Sequence, residues 1–386
     1  MATTTPNFGW AVPTSSDLVK NGATAIETLG DAIDASMVDL KGGTTGQVLA
    51  KASNTDMDFT WTTASSGSSY VAGKNFLFNG AMDIWQRGTS ITTSGGYTAD
   101  RWQQYTTGVQ TTSRQTTSDT TNLPQIQYCA RVQRNSGSTS TGVFALGTSL
   151  ESVMTTPMAG QTVTLSFYAR KGANFSGTNL VVQLIGGTGT DQNVISGFTG
   201  ATVINGNQTA TLTSTWQRFT WTFSVASTYT QLGLQTYLLG VGTAGANDYY
   251  EITGMQLEIG SAATTFSRAG GNIQGELAAC QRYYWRNTLQ TGTEIANVVG
   301  RSSTVSDCII NFPVAMRTNP TSVEYGGTPT LTDPNVAAYT VTSISFVHAT
   351  SYTGLIKPNT ASGLTQGKFY TLGITASGYL GFSAEL

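Results

Sequence analysis

The stretch that decides the fold spans residues 75–105 and reads NFLFNGAMDIWQRGTSITTSGGYTADRWQQY. Side chains alternate with a period of two within residues 76–79 and again within residues 83–87, which is typical of β-strands. Asn79-Gly80 is a strong turn pair between the two segments. The stretch therefore predicts short strands joined by turns, with its two tryptophans in the core of a β-sandwich.

The composition supports a mainly β protein. Only 10% of the 386 residues are charged, against about 25% in ordinary soluble domains. Neutral polar residues and 44 glycines take their place, which is typical of all-β fibrous or extracellular proteins. The 39% hydrophobic content argues against a disordered chain. The length predicts two or three domains.

Charge and hydropathy exclude several classes of partner. The net charge of −2 argues against binding to nucleic acid or to an anionic membrane surface. No apolar run approaches the ~20 residues of a membrane span, so membrane insertion is not expected. The first residues lack a charged region followed by an apolar one, so no secretory signal is expected. Cys129, Cys280 and Cys308 are too few and too far apart for a disulfide framework and are expected to be buried thiols.

The N-terminal segment predicts a docking peptide. Pro6 and Pro13 disfavour a regular helix over residues 1–17. Phe8 and Trp10 cannot be buried by so short a segment alone. We expect them to insert into a larger assembly; the alternative is a disordered tail.

A heptad pattern follows. Val19, Ile26, Ile33 and Leu40 recur every seven residues, and Leu29 occupies the intervening d position. This pattern predicts a short coiled-coil helix that begins near residue 17, and its β-branched a positions leave dimer and trimer both open. One amphipathic helix packed on its own domain is the alternative.

Several motifs resemble those of tailed-bacteriophage tail fibre proteins. The fixed spacing from Asn75 to Trp102 is similar to the opening of their carbohydrate-binding-module-like jelly-roll domain, and residues 250–266 resemble its closing strand. Residues 42–61 are similar to a small module near the virion-proximal end of such fibres, and residues 276–284 and 312–321 resemble a junction and a C-terminal domain of the same family.

Short alternating strands recur through the central part of the chain, among them 142–150, 162–170, 179–185, 229–237 and 249–257. Many short strands at this spacing are typical of a sandwich or jelly roll.

Pattern and resemblance together predict four segments. They are a docking peptide and coiled-coil helix (1–41), a small β module with a Ser/Gly linker (42–70), a central β jelly-roll sandwich (71–271), and a junction helix with a C-terminal β-sandwich tip that binds the receptor (272–386). The resemblance implies a homotrimer that attaches through its N-terminus to a phage tail or baseplate protein. It also implies a place in the virion, outside cells after host lysis, and binding of host surface polysaccharide.

Three tyrosines are the predicted glycan-binding residues. Tyr325, Tyr339 and Tyr352 lie at predicted strand ends or loops of the C-terminal domain, where an aromatic ring can stack on a sugar or cap the core. The sole histidine, His348, is expected to point inward because it shares strand parity with two apolar neighbours.

No cofactor and no metal site are predicted from the residues themselves. Carbohydrate-binding modules of the resembled shape often carry a structural calcium ion. Asp83, Asp248 and Glu251 are the weak candidates for its ligands, although no tight ligand loop is present.

Two other functions remain as alternatives. A glycan depolymerase needs two carboxylates at a set separation, and no acidic pair among the 21 acidic residues stands in a recognisable context. One histidine and no Gly-x-Ser-x-Gly motif also disfavour a serine hydrolase, so no enzyme is expected. A capsid-attached head fibre or decoration protein would use the same modules and stays open.

Overall fold

The computed structural model describes residues 3–16, 18–63, 73–288, 294–335, 337–374 and 378–386. They fall into two compact units, Met1–Ser69 and Tyr70–Leu386. Most of the predicted Ser/Gly linker lies outside the described residues. Among the residues described, no helix is both long and apolar enough to cross a membrane.

The N-terminal unit begins with a hairpin. Its elements are β1 (Thr3–Thr4), β2 (Ala11–Val12), a 3₁₀ turn (Val19–Asn21), α1 (Gly22–Met37), a second 3₁₀ turn (Val38–Leu40), β3 (Gln47–Lys51) and β4 (Phe59–Thr63). β1 pairs with β2, and β3 pairs with β4. The Trp10 indole N–H donates to Ser36 Oγ of α1 at 3.1 Å, and Phe8 stacks on Trp10. The predicted docking segment is therefore folded back on the helix, with half of Phe8 exposed.

The helix is shorter than the heptad pattern predicted. Ile26, Leu29 and Ile33 lie in α1, whereas Val19 and Leu40 fall in the flanking 3₁₀ turns. Residue 17, near which the helix was predicted to begin, lies outside the described residues. No residue of α1 is buried, and Ile26 remains 64% exposed. The apolar seam is thus uncovered within this unit, and its self-association stays a prediction.

The second unit contains the predicted sandwich. Its strands are β5 (Ser90–Ile91), β6 (Gln103–Thr106), β7 (Gln110–Thr116), β8 (Tyr128–Arg134), β9 (Val143–Ser149), β10 (Thr162–Lys171), β11 (Leu180–Gly187), β12 (Thr202–Val203), β13 (Gln208–Ala210), β14 (Gln217–Ser224), β15 (Gln231–Leu239) and β16 (Tyr249–Ile259). Sheet 1 has the order β14-β10-β16-β8-β7-β5. Sheet 2 has the order β12-β11-β15-β9-β6, and β13 pairs with β11. A short helix, α2 (Ser152–Thr155), continues into a 3₁₀ turn (Thr156–Met158).

Alternation explains how the two sheets share one core. In β10, Val163, Leu165 and Phe167 are fully buried at every second position and belong to this core. Trp85 and Trp102 belong to it as well, which confirms their predicted role.

Residues 76–79 and 83–87 do not form the strands that their alternation predicted. Asn79 has a left-handed backbone, and its side-chain amide donates to the carbonyls of Ile84 and Asp100 at 2.8 and 3.0 Å. Asn75 donates in the same way to Met255 O of β16 at 2.9 Å. Buried amide side chains therefore take the place of a strand's backbone partners, and period-two reasoning does not detect this.

The C-terminal part forms a closed barrel where a sandwich was predicted. Its elements are α3 (Ile273–Gln281), β17 (Tyr284–Thr288), β18 (Glu294–Gly300), β19 (Ser306–Asn311), β20 (Glu324–Gly326), β21 (Pro329–Thr332), β22 (Ala338–Ala349), β23 (Thr353–Thr360), β24 (Phe369–Ile374) and β25 (Tyr379–Ser383). The barrel order is β18-β19-β23-β22-β21-β24, and β24 also pairs with β18. This last pairing removes the open edges that a sandwich would leave. β17, β25 and β20 form a separate small sheet.

Buried polar contacts join the C-terminal part to the sandwich. Glu276 of α3 accepts from the backbone N–H groups of Asn79 and, at 2.8 Å, Gly270. Arg101 pairs with Glu385, and both side chains are almost completely buried. The boundary predicted at residue 271 thus falls inside one compact unit. The three cysteines are buried free thiols, as predicted.

Candidate functional site

Sheet 2 carries no charged residue. Its main strands read QQYT, VFALGTS, LVVQLIGG and QLGLQTYLL in β6, β9, β11 and β15. Leu146, Leu184 and Leu234 point to the sandwich core and are fully buried. The alternate positions form the opposite face of the sheet, on the outside of the sandwich.

Strand register places two polar rows side by side on this outer face. Tyr105 of β6 and Tyr237 of β15 lie on either side of Ala145 in β9. One step along the strands, Gln103 and Gln235 lie on either side of Gly147, and Gln183 of β11 follows Gln235. We call the surface formed by the following five residues the neutral face: Gln103, Tyr105, Gln183, Gln235 and Tyr237.

Small residues form a shallow depression along the middle of the neutral face. Ala145 and Gly147 are buried between the larger side chains of the neighbouring strands. Tyr105 and Tyr237 are two strands apart, which is about 10 Å. The two tyrosines therefore flank one platform that is wide enough for a single saccharide ring.

A loop closes one end of the platform. A Cβ atom at Gly147 would lie 3.1 Å from Ile195 Cδ1, and one at Gly233 would lie 2.6 Å from Val194 Cβ. Val194 and Phe198 are buried on the sheet at this end. The loop that carries them, residues 188–201, thus forms a wall beside the neutral face and needs glycine beneath it.

Several polar groups of the neutral face are free to bind a ligand. Within the described residues, neither the Gln235 amide nor the hydroxyls of Tyr105 and Tyr237 make a hydrogen bond. Burial raises the pKa of Tyr237, so its hydroxyl stays a neutral donor and acceptor. Gln183 donates to Asn207 Oδ1 at 2.8 Å, which fixes its orientation. The face therefore offers aromatic rings and neutral hydrogen-bonding groups together.

Comparisons with known proteins give no family for the chain. No protein-family model matches it, and no curated protein matches it. Among solved structures, a CBM4 domain is 18% identical, with 47% of this chain and 98% of that chain covered and a TM-score of 0.30. The CBM22-1 xylan-binding domain from Paenibacillus barcinonensis is 14% identical, with 50% and 98% covered and a TM-score of 0.30.

A phage structure is also similar. The enzymatically active domain of bacteriophage CBA120 tailspike protein 4 is 11% identical, with 48% of this chain and 21% of that chain covered and a TM-score of 0.32. At such TM-scores these likenesses carry no argument about function.

The predicted glycan-binding tyrosines do not form one platform. Tyr339 lies near the start of β22 and packs edge-on against Tyr370 at 5.8 Å. Tyr352 lies in the turn after the same strand and is 63% exposed. The strand between them places the two on the order of 30 Å apart. The Tyr325 hydroxyl accepts from Ile344 N at 3.3 Å, in the middle of β22.

His348 is exposed rather than inward. The pairing of β22 with β23 shifts register between Phe346 and His348. Such a β-bulge reverses the facing of the residues that follow. The parity argument was wrong for that reason.

The calcium candidates do not fit a cation site. Asp83 is held by Arg268 at 2.8 Å, and Asp248 by Arg134 at 2.7 Å. Glu251 lies between two arginines. Each carboxylate already has a positive partner, and no group of three His, Cys, Asp or Glu residues within the described chain is arranged to hold a metal ion.

A larger cleft lies at one end of sheet 1. Its volume is about 1100 Å³, and Tyr128, Arg268, Ile273 and the loop at 116–127 line it. The Asp83–Arg268 ion pair lies in its wall. Asp119 also lines the cleft and accepts hydrogen bonds from Thr121 and Asn122, so the charged groups of the cleft are already engaged within the fold.

Sequence reasoning missed the neutral face. Alternation predicted the strands at 142–150, 179–185 and 229–237. It did not show which of them pair, and only the register brings Tyr105 beside Tyr237.

Proposed function

We propose that this protein is a non-enzymatic adhesin that binds neutral host-surface glycan on the neutral face. The observation that carries the proposal is the pairing of Tyr105 and Tyr237 across Ala145 on a sheet without charges. Aromatic rings supply apolar contact to the C–H faces of a sugar, and unpaired amides and hydroxyls supply partners for its hydroxyl groups. An uncharged glycan is the ligand class that this combination fits.

The virion role forms the second part of the proposal. The motif at residues 75–102, which resembles phage tail fibre proteins, supports a place in a tail fibre on the virion. The uncovered apolar residues Val19 and Ile26 support self-association of α1 into a trimer. Several copies on one fibre would raise avidity through effective concentration. Phe8 is available at the surface of the N-terminal unit for attachment to a tail or baseplate protein.

The absence of enzyme activity is also proposed. Buried Glu251 and Asp248 are engaged by arginines, and buried Asp100 and Glu276 accept hydrogen bonds from Gln86 and from backbone N–H groups within the fold. Incubation with a bound polysaccharide should therefore release no new reducing ends. Release of oligosaccharides would contradict this part of the proposal.

A glycan array tests the binding function. The wild-type protein should bind neutral glycans, and Tyr105→Ala and Tyr237→Ala should each lose most of that signal. Tyr352→Ala is the matched control, because it removes an exposed tyrosine of the barrel. Loss of binding in the control alone would move the site to the C-terminal tyrosines and overturn the assignment to sheet 2.

A further inference from the structure

Glu251 lies fully buried on the outer face of sheet 1, between two arginines. Register pairs it with Arg131 of β8 on one side and Arg170 of β10 on the other. Arg131 donates from Nε and Nη2 to Oε1 at 2.8 and 2.6 Å. Arg170 donates from Nε to Oε2 at 2.5 Å. The single carboxylate of Glu251 therefore forms ion pairs with two arginine side chains.

Aromatic rings fix both guanidinium groups. Arg131 Cζ lies 4.0 Å from the ring centroid of Tyr249, and Arg170 Cζ lies 4.7 Å from that of Trp216. Each arginine side chain is 25% exposed. Because a ring covers one surface and a carboxylate binds one edge, the two groups are preorganised before any ligand arrives.

Most of the donors of this pair are unused. A guanidinium carries five N–H donors; Arg131 uses two and Arg170 uses one for Glu251. Neither makes another hydrogen bond within the described residues, and none of their nitrogens is among the buried atoms without a partner. The remaining N–H groups therefore face solvent.

The local charge stays positive when the neighbours are included. Arg218 of β14 is exposed on the same face, with its guanidinium near the ring of Tyr168. Asp119 is the nearby acid. Its hydrogen bonds with Asn122 lower its pKa, and the charge of Arg170 lowers it to a smaller extent. Three arginines thus stand against two carboxylates.

We propose that Arg131, Glu251 and Arg170 form an arginine platform that binds the oxyanion groups of an acidic polysaccharide. Guanidinium groups match carboxylate and phosphate oxygens with paired hydrogen bonds. The backbones of the two arginines lie two strands apart, about 10 Å, and their guanidinium groups bind different oxygens of the carboxylate between them. This spacing gives two separate anion positions, which suits anions repeated along a chain. The platform lies on the opposite side of the sandwich from the neutral face.

Binding to three soluble polysaccharides tests the proposal. Polygalacturonate supplies carboxylates, phosphomannan supplies phosphate diesters, and dextran is the neutral control. The full-length protein should bind one or both polyanions. Binding should be weaker at high salt than at low salt, because salt screens the attraction between charges. Which polyanion binds identifies the source of the oxyanion. Equal binding of dextran and the polyanions by Tyr237→Ala, in which the neutral face is impaired, or stronger binding to a DNA oligonucleotide than to either polyanion, would overturn the proposal.

Variants locate the site. Arg170→Gln should weaken polyanion binding about tenfold or more, and Arg170→Lys should be intermediate because it keeps the charge but loses the fork. Arg301→Gln removes an exposed arginine of the barrel and should bind as wild type. If Arg170→Gln fails to fold, Arg131→Gln provides the second measurement, because it removes the other guanidinium group and should weaken polyanion binding as well. Unchanged polyanion binding in a folded Arg170→Gln or Arg131→Gln variant would contradict the platform.

The platform and the neutral face are separable. Tyr237→Ala should leave polyanion binding unchanged, and Arg170→Gln should leave neutral glycan binding unchanged. Failure of one site thus does not decide the other.

Discussion

Asp100 accepts two hydrogen bonds from Gln86, one from the backbone N–H at 2.9 Å and one from the side-chain amide. Gln86 in turn donates to Tyr284 O of β17 at 2.6 Å and accepts from Arg286 N at 3.2 Å. A residue pair of the fold-deciding stretch therefore joins the sandwich to the small sheet beside the barrel. The carboxylate of Asp100 is buried, and burial raises its pKa to about 6.

This shift predicts how stability depends on pH. A raised pKa means that the folded state holds the Asp100 proton more tightly than the unfolded state does. The stability that this bound proton adds to the folded state is fully present below the ordinary pKa of aspartate, near 4. It is lost as pH rises through about 6, the pKa of Asp100 in the folded state. Relative to Asp100→Asn, the wild type should gain roughly 1–3 kcal/mol in free energy of unfolding between pH 7 and pH 4.

Denaturant unfolding at the two pH values measures this difference. Asp119→Asn is the control, because hydrogen bonds lower the pKa of Asp119 and give the opposite sign. An unchanged difference between the two proteins would show that Asp100 has an ordinary pKa in the folded protein, and a loss by the wild type on acidification would show that this pKa is lowered; either result would contradict the prediction.

The buried pair of Arg134 and Asp248 predicts a large loss of stability. Both side chains are fully buried, and Asp248 also accepts from Ser176 N at 2.9 Å. Arg134→Met leaves that carboxylate without a charge partner and should cost about 3–5 kcal/mol in free energy of unfolding. Arg301→Met breaks an exposed pair with Asp307 and should cost less than about 1 kcal/mol. Similar losses in the two variants would contradict the burial argument.

Glycine beneath the loop at 188–201 gives a third prediction. A Cβ at Gly233 would lie 2.6 Å from Val194 Cβ and 3.0 Å from Phe198 Cζ. Gly233→Ala should displace this wall of the neutral face and weaken neutral glycan binding, while Gly30→Ala, with nothing near its Cβ, should not. Thermal unfolding distinguishes the two as well, since Gly30→Ala should stabilise α1 by about 1 kcal/mol. Unchanged binding in Gly233→Ala would show that the loop plays no part in the site.

Self-association of α1 is the fourth prediction. Ile26 is exposed on the helix, and Leu29 and Ile33 are only half-buried. Ile26→Asp should shift the full-length protein from trimer to monomer in analytical ultracentrifugation, because a charge cannot enter an apolar seam without a partner. Val48→Asp, at an exposed apolar position of β3, is the control. A monomeric wild type would contradict the proposed trimer.

Much of the sandwich could be predicted from the sequence because apolar and polar residues alternate along its strands. The strand predicted at 162–170 is observed as Thr162–Lys171, and that at 249–257 as Tyr249–Ile259. The alternation of core and outward residues fixes such strands wherever one face is buried. The first stretch failed because Asn75 and Asn79 replace strand pairing with side-chain hydrogen bonds.

The candidate sites could not be predicted because they depend on pairing. Tyr105 and Tyr237 are separated by more than half of the sandwich in sequence, as are Arg131 and Glu251. Alternation shows that each points outward but not which strand lies beside it. Closure of the barrel has the same cause, since it depends on the pairing of β18 with β24.

The affinity of one array-selected neutral glycan for three proteins tests whether the neutral face binds glycan. Titration calorimetry would compare the wild type, Tyr237→Ala and Tyr352→Ala, all shown to be folded by thermal unfolding. Tyr237→Ala should raise Kd about tenfold or more, the equivalent of about 1.4 kcal/mol, and Tyr352→Ala should leave Kd unchanged. An unchanged Kd in Tyr237→Ala would contradict a glycan site on the neutral face.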